Sequence, residues 1–135
     1  MKKIFKITKL FIGQNLKIEQ KFFNKIEEIF LINLPFKNIK VYLTTNDRCS
    51  YFLKDGSFFI SVFTKNPKRI IMHELFHFYT YYAFKKELDF FDQAKNYDLK
   101  ELLVEILNLE CYDLMDTLDE GYERHKKLRE VVKNL

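Results

Sequence analysis

The stretch from Pro67 to about Lys86 constrains this chain more than any other, because its period is helical and yet it is apolar almost all round. Ile70, Ile71, Leu75, Phe76, Phe78, Tyr79 and Tyr82 leave no broad polar face. A helix of that kind lies in the centre of a fold, not on its surface. Asn66-Pro67 supplies its start, with Asn as cap and Pro at the first helical position. Into the centre the helix carries His73, Glu74 and His77. At 3.6 residues per turn the histidines stack one turn apart, and Glu74 projects about 100° round from His73. Unpaired charge there is costly, so the three groups need a purpose. Two imidazoles with a carboxylate alongside suit a divalent metal, zinc first among them, with the carboxylate close to a water. In a chain of 135 residues with 3 His, composition alone yields this arrangement about 0.005 times.

The remainder of the chain sets bounds. At 135 residues it predicts one domain, residues 1–135, that buries about two-thirds of its unfolded surface and needs no staple. Cys49 and Cys111 stand far apart and in no CxxC pair, so free thiols in a reducing compartment are expected. The 23 Lys and Arg against 19 Asp and Glu give +4, but the signs alternate and the aromatics sit in apolar runs. That is a solvated surface, with no nucleic-acid partner expected. Lys2, Lys3, Lys6 and Lys9 break up the apolar residues of the first segment, so no signal-peptide core forms and a cytoplasmic location is expected. No apolar run approaches the ~20 residues that cross a bilayer, so no membrane partner is expected either.

From Asn15 to about Ile32, Leu16, Phe22, Phe23, Ile26, Ile29 and Phe30 recur at helical spacing, with Asn15 as cap and Leu34-Pro35 as stop. The period then changes. Ile39, Val41 and Leu43 alternate with Lys40, Tyr42 and Thr44, which predicts a half-buried strand. Tyr51 to Leu53 and Ser57 to Thr64 predict two more, joined by Lys54-Asp55-Gly56, where Asp-Gly supplies a tight turn. Leu88 to Tyr97 has no period and reads as a loop. Leu99 to about Leu118 reads as a helix with Leu102, Leu103, Ile106, Leu109 and Leu114 on its core face. Beyond Gly121 a basic amphipathic helix closes the chain. The expected fold is α+β: a small, mostly antiparallel sheet packed on the central helix, followed by a helix that bears Glu101 and Glu105.

Two histidines do not complete a catalytic zinc site, which takes three protein ligands. Glu101 and Glu105 lie four apart among Leu, Val and Ile, and a glutamate amid leucines needs a partner. Against a ligand role, Asp98-Leu99-Lys100-Glu101 also fits a capping box. His73-Glu74-Leu75-Phe76-His77 with a helical glutamate downstream resembles the gluzincin metallopeptidases, and the chain's size is similar to the minimal members called minigluzincins. The matching motifs span residues 70–82 and 98–110. The resemblance implies a zinc-dependent metallopeptidase acting on a peptide or protein, with His73, His77 and Glu101 as zinc ligands. It implies Glu105 as the acid that hydrogen-bonds a ligand histidine. The family's asparagine before the ligand glutamate is Lys100 here, which leaves the choice between Glu101 and Glu105 open.

In that chemistry zinc activates a water and polarises a peptide carbonyl. Glu74 serves as general base, taking the water's proton and returning it to the leaving amine. The oxyanion needs a further donor, for which His125, Tyr97 and Tyr122 are candidates. Substrate is expected along an exposed sheet edge, with Ser57 to Thr64 as the strand it joins. The competing class is an inactive or latent zincin-like module that binds peptide without cutting it. Oligomeric state is not legible.

Overall fold

The computed structural model describes residues 16–36, 39–47, 51–89, 92–115 and 117–135. Its elements in chain order are α1 (Leu16–Phe30), β1 (Lys40–Thr44), β2 (Tyr51–Phe52), β3 (Ser57–Ser61), α2 (Pro67–Ala83), α3 (Lys85–Leu88), α4 (Gln93–Leu103), α5 (Glu105–Glu110) and α6 (Lys126–Lys133). Single 3-10 turns occupy Tyr112–Leu114 and Glu123–His125. The α+β expectation holds. Asn15 and Cys49, named above as cap and thiol, lie outside the described residues, while Cys111 is a buried free thiol.

The expected central helix is α2, in which every residue from Glu74 to Thr80 is buried. Phe22, Phe23 and Ile26 of α1 join its core on one side, and Phe58 and Ile60 of β3 on the other. Phe76 meets Phe30 at 5.0 Å between ring centroids, and Phe78 meets Phe58 at 6.2 Å. Asn66 occupies the cap position, but its side chain makes no capping bond.

The sheet differs from expectation. Its order is β1-β3-β2, with five residue pairs in the parallel β1–β3 ladder and two in the antiparallel β2–β3 ladder. It is therefore mixed, and the longer pairing is parallel. The cause lies in β3, whose Ser57, Phe58, Ile60 and Ser61 are buried. A strand buried on both faces takes the middle, as in parallel sheets generally. β3 is thus the central strand and not the exposed edge expected for Ser57 to Thr64: it is paired with β1 from Ser57 to Ser61 and with β2 at Ser57 and Phe58. The β2–β3 turn is as expected, with Gly56 at φ +60°, where an added Cβ would meet the Phe36 ring at 2.8 Å.

The stretch expected as a loop holds a helix. α4 begins at Gln93, and Asp92 caps it through a 2.8 Å bond from the Lys95 amide. Asp98 therefore sits inside a helix, and the capping box with Glu101 is not formed. The single long helix expected from Leu99 is divided at Val104, whose ψ of −21° and 2.9 Å bond from the Leu107 amide make one tight 3-10 step. That step sends Glu101 and Glu105 to different partners. Among the described residues no helix is long and apolar enough to cross a membrane.

Candidate metal centre

α2 sets the centre by simple spacing. His73 and His77 fall one turn apart and their rings meet edge to face at 4.5 Å. α4 crosses beside them and delivers Glu101, whose Oε1 lies 3.1 Å from His77 Nε2 and whose Oε2 lies 3.5 Å from His73 Nε2. One ligand atom from each of the three lies within 4.8 Å of the others. A tetrahedral centre with bonds of ~2.1 Å spaces its donors ~3.4 Å apart, so the observed separations suit a shared ion. A further sign of fit is Glu101 Oε2, which is buried without a hydrogen bond among the described residues. The two histidines whose spacing pointed to a metal and the glutamate that the resemblance implied are thus brought together.

Glu105 does not join them. It faces the other way, 3.3 Å from Arg129 Nη1, and accepts from Asn108 Nδ2 at 3.0 Å. The role that resemblance assigned to it, holding a ligand histidine, is filled from a different segment. Asp119 Oδ2 lies 2.6 Å from His73 Nδ1. With Asp119 ionised, that nitrogen holds a proton, so Nε2, which faces Glu101, is the nitrogen left to ligate once the imidazole is neutral. His77 has no such partner: its Nδ1 is buried without a hydrogen bond among the described residues. Its ring is held by Tyr51, whose centroid is 5.3 Å away with 31° between planes.

Glu74 is 7% exposed. It shares with both histidines and Glu101 a pocket of about 450 Å³, and its Oε2 has no hydrogen bond among the described residues. Burial raises its carboxyl to about 7; Glu101 and Asp119 push the same way, and His73 opposes them. Burial disfavours a charge on His73, yet Asp119 and Glu101 outweigh it and raise the imidazole to about 10. His77 is lowered, chiefly by burial. Burial also opposes ionisation of Glu101, but the two histidines hold its carboxyl well below the usual range.

The three expected oxyanion donors divide. Tyr97 and Tyr122 line the pocket, and Tyr97 donates to the Tyr122 hydroxyl at 3.1 Å. His125 is not part of that lining; it is buried with Nε2 2.8 Å from Asp98 Oδ1. A phenol that sequence reading passed over also lines the pocket: Tyr51 accepts from Lys100 Nζ at 3.1 Å, which leaves its own hydrogen free. Lys100, the departure from the family pattern, thus has a partner in the site wall. Arg69, one turn before His73, lines the pocket too and lies 3.6 Å from Asp119 Oδ2.

Asp119 and Arg129 are the residues that sequence reading missed outright. An acid two places before a glycine reads as a turn, and an arginine in a basic helix reads as solvated. No local signal distinguishes either. Fold and site together define an α+β protein with a buried cluster of two histidines and a glutamate on crossing helices. Comparison with protein-family models, with curated proteins and with solved structures returned no match.

Proposed function

We propose that the protein is a zinc-dependent metallopeptidase. The observation that carries this reading is the convergence of His73, His77 and Glu101 in one pocket with a buried, unpartnered Glu74 carboxylate oxygen. When bound, zinc supplies Lewis-acid chemistry, polarising a peptide carbonyl and acidifying a water. Everything else is the work of the chain. Asp119 holds His73 in the tautomer whose Nε2 can ligate, and Glu101 contributes the anionic ligand. Glu74, raised to about 7 by burial, stands near the pH at which a general base is most effective. It takes a proton from water as the water attacks the carbonyl carbon, and hands it to the leaving amine as the C–N bond breaks. Tyr122 and Tyr51, both in the pocket wall, would donate hydrogen bonds to the oxyanion. The strand edge beside the pocket is β2, so an extended peptide is read there and not on β3.

The test uses one conservative change. Glu74→Gln keeps the shape and the ligands, so it should retain zinc by native mass spectrometry and lose about 10²–10⁴-fold in chelator-sensitive hydrolysis of a peptide library. Equal hydrolysis by variant and wild type would remove Glu74 from the mechanism. Zinc retained by a wild type that cuts nothing would move the reading to a metal-holding module that binds peptide.

A further inference from the structure

Arg129 is a basic residue near the end of the chain, and it ought to be in water. It is 4% exposed instead. Burying a guanidinium is expensive unless every side of it is met by an acceptor, and here nearly every side is. Nη1 donates to the Asp119 main-chain oxygen at 2.6 Å and lies 3.3 Å from Glu105 Oε2. Nη2 donates to Asp119 Oδ1 at 3.1 Å and to the Glu101 main-chain oxygen at 3.3 Å. The backbone is shaped around this group: at Gly121, φ +65°, an added Cβ would stand 2.5 Å from Arg129 Cζ. The Asn108 amide fixes Asp119 from another side, accepting from its N–H and donating to its C=O, both at 2.8 Å.

The two carboxylate oxygens of Asp119 are therefore divided. Oδ1 belongs to Arg129, and Oδ2 belongs to His73 Nδ1 at 2.6 Å. A short staple for α6 would need only one exposed acid. The observed arrangement grips, in one fork, the residue that orients a ligand histidine and the main chain of the ligand glutamate. We propose that Arg129 is a positioning residue of the metal centre, acting through Asp119 on His73 and through the main chain on Glu101, so that α6 sets how tightly the centre holds its ion. The inference rests on the metal reading above and adds to it a residue that touches neither ion nor substrate.

The expected size follows from what partners of ligand histidines contribute elsewhere, about ten- to a hundredfold in metal affinity. Zinc affinity of the full chain, measured by competition with a chromophoric chelator, should fall by about that factor in Arg129→Gln and in Asp119→Asn. The double variant should lose less than the sum of the two single losses, because the path through Asp119 is common to both. Arg129→Lys, which keeps charge and stem but loses the planar fork, should fall between them and wild type. Lys133→Gln, which disturbs only the exposed 3.7 Å pair with Glu130 on the same helix, should bind zinc as wild type does. A merely structural role predicts lower melting temperatures with unchanged zinc affinity in the folded variants, and that result overturns the proposal. Should Arg129→Gln fail to fold, Arg129→Lys and Asp119→Asn carry the comparison, and additive losses in their double variant overturn it as well. A wild type that takes up no zinc overturns the metal reading and this inference together; wild-type uptake with unaffected variants overturns this inference alone.

Discussion

At the scale of single residues, Glu101 and Glu105 show how two identical side chains four apart acquire different roles. On an unbroken helix they would share a face. Here the tight step at Val104 separates them, and Glu101 faces the two histidines while Glu105 faces Arg129 and Asn108. Their substitution by alanine should therefore separate too. Glu101→Ala removes the anionic ligand and should abolish stoichiometric zinc uptake. Glu105→Ala removes an acceptor from a buried guanidinium; it should lower stability and weaken zinc binding modestly, yet still take up about one zinc per chain when saturated. Side-by-side metal analysis after dialysis checks this, and loss of zinc from Glu105→Ala with retention in Glu101→Ala would reverse the assignment of the third ligand.

At the scale of elements, α2 has two tasks, since the helix that carries His73 and His77 is also the centre of the core. Its far side packs on α1 through Phe76 against Phe30, and Tyr79 stacks on the same ring at 6.0 Å and 22° between planes. The helix under His73 and His77 is thus packed in place by apolar burial on its far side. Phe76→Ala removes a fully buried ring and should cost about 3–5 kcal/mol of stability, read from the denaturant midpoint of the metal-free protein. A loss below about 1 kcal/mol would mean that α1 does not hold α2 as described. The elements legible beforehand are those with a strong private period. α1 and α2 were expected within a few residues of where they lie, and β1 within one. The first half of α4 carries no helical signal, because Gln93 to Tyr97 has no apolar stripe; the Asp92 cap and packing against its neighbours supply what periodicity does not.

At the scale of the whole molecule, the centre couples protonation, metal and folding. In the metal-free protein burial opposes the charge on His73, but Asp119 and Glu101 raise it to about 10. A raised histidine contributes stability that is complete below its unfolded value of ~6.5 and is lost as pH rises toward about 10. Glu74, raised to about 7 by burial, favours the protonated fold, so it too withdraws stability as pH rises from ~4.3 to about 7. The metal-free melting temperature should therefore fall between pH 6.5 and 9. Zinc requires a neutral His73 Nε2, so binding releases a proton and tightens across the same window. At free zinc a hundredfold above its Kd the folded state gains about 2.7 kcal/mol. The gap between the melting temperatures of loaded and metal-free protein should widen from pH 6.5 to 8.5 at fixed free zinc. A gap that narrows would show that His73 is not the protonated group that the metal must displace.

The sequence by itself determined what neighbours along the chain can determine. His73, Glu74 and His77 share a sector because a helix repeats every 3.6 residues, and Gly56 takes positive φ at the tight turn that Asp55-Gly56 signals. Which glutamate faces the two histidines, the parallel pairing of β1 with β3, and the approach of Asp119 and Arg129 to these residues are set only by tertiary packing. The reason is separation: Glu101 meets His77 across 24 residues and Asp119 meets His73 across 46. Contacts of that range follow from how buried faces pack, and no local period encodes them.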